Sequence, residues 1–405
     1  MKENLLIFFY NKQNRYSINS LLCSLQSSQE LLDLVDIKLA YTEEEIFSTV
    51  EEKSKIYNKL IIGISFTTIQ FLSIKSLVEK IKKDKKITLI CGGPHPTGSF
   101  ETAINLGFDI AVLHEAENVF PELVKKIIRS EEYFNINNLA YIRDKEFIKT
   151  QIKLYDVDLN KYPAVPYYFN RYGPIEITRG CPYNCAFCQT SQIFGTKLRH
   201  RDIQNICESV EIMASKGLYD TRFITPSLFL YGSQNGKNLN LTKLEELFKN
   251  VSKIIKPKGK LFLGTFPSEL RPEHITQDTV ELLKKYADND NVIVGVQSGS
   301  DRILNLTNRQ HTISDVYKAV ELLTKANFKV NLDFIFGLPY EEDTDIQQTI
   351  KVIEELTNRY KVYIHPHIFT PLPSTKFQNL EISINIKYLN LINHLKNKNL
   401  IYKKS

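Results

Sequence analysis

Short apolar, β-branched runs alternate with amphipathic stretches over residues 1–130. The runs predict strands at 4–10, 36–41, 59–65, 87–91 and 109–113, with helices over 17–32, 43–55, 70–83, 99–106 and 117–129. Such βα alternation predicts an α/β domain with a doubly wound, flavodoxin-like parallel sheet, whose ligands sit beyond the carboxyl ends of the strands. Residues 131–172 break the rhythm: Asn135-Ile-Asn-Asn138 and Tyr162-Pro-Ala-Val-Pro166 read as a linker with one small hairpin. A second alternation follows, with strands near 174–178, 221–226, 260–266, 291–298, 328–336 and 361–369. Six βα units without a break in composition predict a partial (β/α)6 TIM-type barrel over 173–383, with its active site at the C-terminal strand ends. Residues 384–405 read as a terminal amphipathic helix.

Composition narrows the class. An apolar fraction of 42% and a charged fraction of 24% in 405 residues fit a chain that buries real cores, and exclude a disordered or collagenous protein. The net charge of +6 is spread along the chain. The run Lys80-Ile-Lys-Lys-Asp-Lys-Lys86 reads as a solvated helix end rather than a nucleic-acid footprint. No apolar run approaches the ~20 residues of a membrane helix. Leu5-Leu-Ile-Phe-Phe-Tyr10 is too short for a signal-peptide core and reads as a buried strand. Six cysteines are too few for a disulfide framework, and three of them crowd into eight positions, which points to metal or redox chemistry in a reducing cytoplasm.

Those three follow the expected strand Ile175-Glu-Ile-Thr178, in Arg179-Gly-Cys181-Pro-Tyr-Asn-Cys185-Ala-Phe-Cys188-Gln189. Thiolates spaced C-x3-C-x2-C on one loop can hold three irons of a [4Fe–4S] cluster and leave the fourth open to a small chelating molecule. Structural zinc is the rival reading; it needs a fourth ligand, for which His200 is the nearest candidate.

C-x3-C-x-aromatic-C after the first barrel strand, with Phe187 as the aromatic residue, resembles the radical S-adenosylmethionine (SAM) enzymes. Gly295-Val-Gln297-Ser298-Gly299 resembles that family's segment contacting the SAM ribose and methionine. Asp333-Phe-Ile335-Phe-Gly337-Leu-Pro-Tyr-Glu341 resembles its G-x-I-x-G-x-x-x-E stretch, with Asp333 replacing the first glycine. Pro371-Leu-Pro-Ser-Thr375 resembles the segment that closes the core. Where the family often has Gly-Gly-Glu, this chain has Ile224-Thr225-Pro-Ser227, leaving backbone carbonyls to meet the SAM ammonium, with Thr225 and Ser227 as candidate contacts. Ser268, Glu269 and Arg271 after the third strand are candidate contacts to the methionine moiety, or a solvated loop with a salt bridge.

The first domain resembles the cobalamin-binding domain that precedes many radical SAM cores. Ser65-Phe-Thr67-Thr68 and Gly92-Gly93-Pro-His95-Pro96 carry that resemblance. Paired glycines permit close backbone approach to a bulky ligand, and strand-end hydroxyls can bond its tail. His114-Glu-Ala-Glu117 stands where relatives often have Gly-Glu-Gly-Glu. Asp-x-His-x-x-Gly is missing after the first strand, so cobalt would lack a protein histidine, and His95 reads as a pocket histidine. A scaffold without cobalamin is the bland alternative for this domain.

The resemblance implies a transferase. An electron from the cluster cleaves SAM to a 5′-deoxyadenosyl radical, and cobalamin serves methyl transfer to an unactivated carbon of a small-molecule or peptide substrate. An external donor such as flavodoxin or ferredoxin would supply electrons. A radical SAM rearrangement or ring-forming enzyme is the second reading, and a non-radical iron–sulfur electron-transfer protein the third. A methylthiotransferase is disfavoured, because the first domain offers only Cys23 and Cys91 toward a second cluster. Residues 384–405 resemble no RNA-binding module.

Overall fold

The computed structural model describes residues 2–81, 87–155 and 157–402, so Lys82–Lys86 of the lysine run lie outside the described residues. The chain forms two compact units, one of Met1–Tyr172 with Gln192–Gly195 and Leu372–Ser374, the other of Gly173–Ser191, Thr196–Pro371 and Thr375–Ser405.

The first unit is built on seven strands: β1 (Asn4–Phe9), β2 (Val35–Ala40), β3 (Lys59–Ser65), β4 (Ile87–Gly92), β5 (Ile110–Val112), β6 (Leu139–Arg143) and β7 (Glu146–Lys149). They lie in the order β2-β1-β3-β4-β5-β6-β7. The first five are parallel, and β6 and β7 add antiparallel. The near-continuous apolar runs follow from burial on both faces, with successive side chains going to opposite sides. Leu5, Ile7, Leu60, Ile62 and Ile64 enter one apolar layer, whereas Leu6, Phe8 and Ile61 enter the other. Each such side chain contributes about 1.5–3 kcal/mol by leaving water. Gly63 makes room within the second layer, since a Cβ there would meet the Phe8 ring at 2.9 Å.

Two expectations change here. The helix expected over 17–32 divides into Arg15–Gln26 and Gln29–Leu34. The segment 131–172, expected as a linker with one small hairpin, carries that hairpin as β6–β7, but joins the sheet instead of standing apart from it: Ile110 pairs with Tyr141, which extends the sheet beyond β5. Turn-rich composition marks the hairpin, but only its pairing with β5 makes it part of the sheet.

The second unit contains β8 (Ile175–Glu176), β9 (Thr178–Arg179), β10 (Arg199–His200), β11 (Thr221–Ile224), β12 (Leu261–Phe262), β13 (Asn291–Gln297), β14 (Lys329–Phe336) and β15 (Val362–Ile368). Parallel sheets β12-β11-β8 and β13-β14-β15 supply the six barrel strands, while β9 and β10 form a separate antiparallel ladder. A parallel bridge from Leu270 to Val294 joins the segment after β12 to β13. On β14, Val330, Leu332, Phe334 and Phe336 are buried, alternating with the residues 331, 333 and 335 of the other face. The terminal segment is not helical throughout: after the helix Ile386–Asn397, Ile401 bridges to Ile364 beside β15. Among the described residues no helix is long and apolar enough to cross a membrane.

Candidate cofactor sites

β9 leads into Gly180, whose φ of +89° turns the chain into the cysteine loop. Cys181, Cys185, Phe187 and Cys188 pack with Tyr183, Leu198 and Leu230. Burial pushes the Cys181 thiol up to about 11 and also raises Cys188; the Arg271 guanidinium opposes this at Cys181, and Arg309 opposes it at Cys188. A metal must therefore displace protons from the loop, and the two buried arginines supply positive charge beside the thiolates that result. Arg309 reaches Cys185 Sγ at 3.7 Å and donates to the Gly295 carbonyl at 2.6 Å.

The zinc reading does not fit. His200 Nδ1 lies 3.0 Å from Thr178 Oγ1, and its Nε2 lies 2.7 Å from the Ser233 carbonyl, so both ring nitrogens are engaged. Thiolates on one zinc with ~2.3 Å bonds sit about 3.8 Å apart. Among the described residues, the one set of three or more His, Cys, Asp or Glu whose donor atoms all come within 4.8 Å of one another lies elsewhere, at Asp333, His365 and His367. Cys181, Cys185 and Cys188 form no such set with one another or with His200.

Several of the expected SAM contacts have other work. The Arg271 guanidinium stacks 3.4 Å from the Tyr183 ring, bonds Glu273 at 2.5 Å and donates to the Arg309 carbonyl, so it braces the cysteine loop. The Gly299 amide bonds Thr349 Oγ1 at 3.0 Å, and a Cβ there would meet Thr349 Cα at 2.4 Å: this glycine serves strand-to-helix packing. Ser298 is fully buried against the same threonine. Gly337 has φ +77°, and a Cβ would meet the Ser383 carbonyl at 2.3 Å.

Ser227 keeps a polar atom for a ligand. Gln297 adopts φ +79° at a bulge in β13, and its amide lies over Gly295, 2.9 Å from where a Cβ there would stand. The Ser227 hydroxyl is buried without a hydrogen-bond partner, while the Thr225 hydroxyl is spent on the Ser227 carbonyl at 2.9 Å. Ile335 and Phe187 pack against one apolar cluster with Ala186, Ile303 and Phe369. Glu269 is half-buried, and its carbonyl accepts from the Leu228 amide at 3.1 Å.

In the first unit, Ser65 and Gly92 are register partners at the ends of β3 and β4. A Cβ on Gly92 would touch only the Val112 carbonyl, at 3.3 Å, leaving a cradle at the strand end. Gly93 is different: at φ +91°, a Cβ would strike Ser65 Oγ at 2.4 Å, so its glycine is required by the fold itself. Thr67 caps the turn that follows β3 through Gln70. His95 is buried, with Nδ1 3.1 Å from Thr68 Oγ1 and Nε2 2.9 Å from Thr102 Oγ1; neither nitrogen is left for cobalt.

Sequence reasoning passed over Arg309, the cluster Asp333–His365–His367, and the environment of Glu341. The polar run Asn308-Arg-Gln-His311 after a short helix was the available signal for the first. The second needs the pairing of β14 with β15, which no local pattern gives.

The Radical SAM superfamily model matches residues 175–353, and the B12 binding domain model matches residues 27–124. An uncharacterized methyltransferase of Pyrococcus horikoshii is 26% identical over 373 residues, covering 87% of this chain and 76% of the relative. A putative methylthiotransferase of Methanocaldococcus jannaschii is 28% identical over 316 residues, covering 76% and 65%. The solved structure of the radical SAM methyltransferase TsrM from Kitasatospora setae, with cobalamin and a [4Fe–4S] cluster bound, superposes with a TM-score of 0.71 at 15% identity, covering 93% of this chain and 77% of that one. At that identity the likeness is one of fold.

Proposed function

The chain joins a B12-binding domain to a radical SAM superfamily domain, and from that premise we propose that it is a cobalamin-dependent radical SAM methyltransferase acting on an unactivated carbon of a small molecule or peptide. The observation that carries this reading is the loop of Cys181, Cys185 and Cys188, spaced C-x3-C-x2-C and packed into one cluster, in a chain that also bears a B12-binding domain. When bound, the cluster supplies the electron that cleaves SAM, and cobalamin supplies a methyl carrier.

The chain's own residues hold, orient and exclude water. Cys181, Cys185 and Cys188 ligate the cluster, while Arg309 and Arg271 balance its charge and brace the loop. Phe187, Gln297, Ile335, Glu269 and the orphaned Ser227 hydroxyl line the SAM side, with Thr225 fixing the loop through its bond to Ser227. Ser298, Gly299 and Gly337 act by packing that segment close. Ser65, Thr67 and Gly92 border the cobalamin cradle, and Gly93 shapes it. Electrons come from an external donor such as flavodoxin or ferredoxin. All six cysteines are free, which suits a reducing cytoplasm.

The methylthiotransferase names among relatives favour a second reading. Against it, the first unit holds Cys23 and Cys91, both buried, and burial drives the Cys91 thiol far upward. Turnover of methyl-deuterated SAM with candidate substrates tests the proposal. A product carrying three deuteriums on carbon supports it; a product carrying sulfur, or 5′-deoxyadenosine with no methyl transfer to any substrate, contradicts it.

A further inference from the structure

β14 and β15 run parallel with Asp333 opposite His365, and the two-residue period of a strand puts His367 on the same face. His365 Nδ1 lies 2.8 Å from Asp333 Oδ1, and His367 Nε2 lies 3.6 Å from the same oxygen. The donor atoms of all three side chains fall within 4.8 Å of one another. Bonds of ~2.1 Å place neighbouring donors about 3.0 Å apart around an octahedral ion and about 3.4 Å apart around a tetrahedral one, and the separations of 2.8 and 3.6 Å bracket both values.

The surroundings favour an ion rather than a closed ion pair. The side chains are 17%, 29% and 43% exposed for Asp333, His365 and His367, so an ion has a way in. On the β13 side, Asp333 is paired with Gly295, and the room left by its missing side chain is reached by the Gln297 amide and the Arg309 guanidinium, 2.9 and 3.3 Å from where a Cβ would stand. Tyr402 lies edge-on to His365 with ring centroids 5.2 Å apart, held there by its amide bond to the Ile364 carbonyl at 2.8 Å. Ile335 stands two residues further along the same face of β14, about 6.6 Å away, and packs against the apolar cluster that also receives Phe187 of the cysteine loop.

We propose that Asp333, His365 and His367 bind one divalent first-row transition-metal ion, of the zinc or ferrous class, as a two-histidine, one-carboxylate site separate from the cysteine loop. Two neutral imidazoles and one carboxylate leave the ion a net positive charge and open coordination positions, which oxygen or nitrogen donors of a substrate can take. The site does not depend on the proposed methyl transfer, and it stands or falls by metal binding alone.

Zinc is the probe, because iron belongs to the cluster and cobalt to cobalamin. Cluster-loaded protein is incubated anaerobically with zinc sulfate, desalted and weighed by native mass spectrometry. The wild type is expected to gain one zinc. Asp333→Asn, His365→Ala and His367→Ala are expected to lose it while keeping four irons, and His367→Cys to retain it. In the wild type, zinc should also protect His365 and His367 from diethyl pyrocarbonate, read by peptide mapping. A wild type that gains no zinc, zinc that persists in all three deletion variants, or histidines that zinc leaves unprotected would each overturn the assignment, leaving an Asp–His ion pair only.

Discussion

Glu341 closes the stretch that begins at Asp333, and its carboxyl is mostly buried, accepting from the Tyr388 hydroxyl at 2.7 Å. Burial is the dominant influence and raises it; the Tyr388 bond opposes that rise and the charge of Asp345 adds to it, so that the group is pushed up to about 7 from an ordinary 4.5. A carboxyl raised in this way favours its protonated form in the folded state. Between pH 4.5 and about 7 the folded chain therefore holds more protons than the unfolded one, and stability falls as pH rises through that window. At ~1.4 kcal/mol per pH unit of displacement, the ionised group costs the folded state about 3 kcal/mol once pH passes 7. Glu341→Gln keeps an oxygen for Tyr388 and removes the charge. Urea unfolding of wild type and variant, followed by tyrosine fluorescence at several pH values, isolates this residue, because every other titration is shared. The variant should gain about 2–3 kcal/mol on the wild type between pH 5 and pH 8, with the urea dependence unchanged. Parallel stability curves across that range would refute the buried-carboxyl account.

Cys181→Ala, Cys185→Ala or Cys188→Ala should abolish both iron retention and SAM cleavage, measured by iron assay and by chromatography of 5′-deoxyadenosine. Conversion of Cys23, Cys91 and Cys207 to Ala should leave four irons per chain; loss of iron from any of these variants would make that residue a ligand. Gly92→Leu should fill the strand-end cradle and remove bound cobalamin, read from the visible spectrum, while the far-ultraviolet dichroism and iron content stay unchanged. Gly299→Ala forces a methyl group against the Thr349 backbone and should destabilise the fold by about 1–3 kcal/mol in urea, with iron content the check on the loop.

Much of the architecture was legible because both units are parallel sheets whose strands advertise themselves as apolar runs. Lys59-Leu-Ile-Ile-Gly-Ile-Ser65 is a strand over the expected residues, since burial on both faces leaves no polar position to blur its ends. The cysteine loop was legible for a different reason: three cysteines on one short loop need no tertiary pairing to be seen. What stayed hidden depended on contacts between distant segments. The β6–β7 hairpin belongs to the sheet only through β5, and Gly299 explains itself only once Thr349 is beside it. Arg271 could be read as a SAM contact until its guanidinium was found over Tyr183. Asp333 and His365 stand 32 positions apart and meet only through strand register.

The central claim is that one chain holds a three-cysteine cluster and cobalamin together. Anaerobic reconstitution with iron, sulfide and hydroxocobalamin, followed by gel filtration and elemental analysis of the protein peak for iron, cobalt and zinc, tests it most directly. The account predicts four irons and one cobalt per chain, with iron alone lost when the three loop cysteines become alanine. Stoichiometric zinc in place of iron, or a protein peak without cobalt, would contradict it.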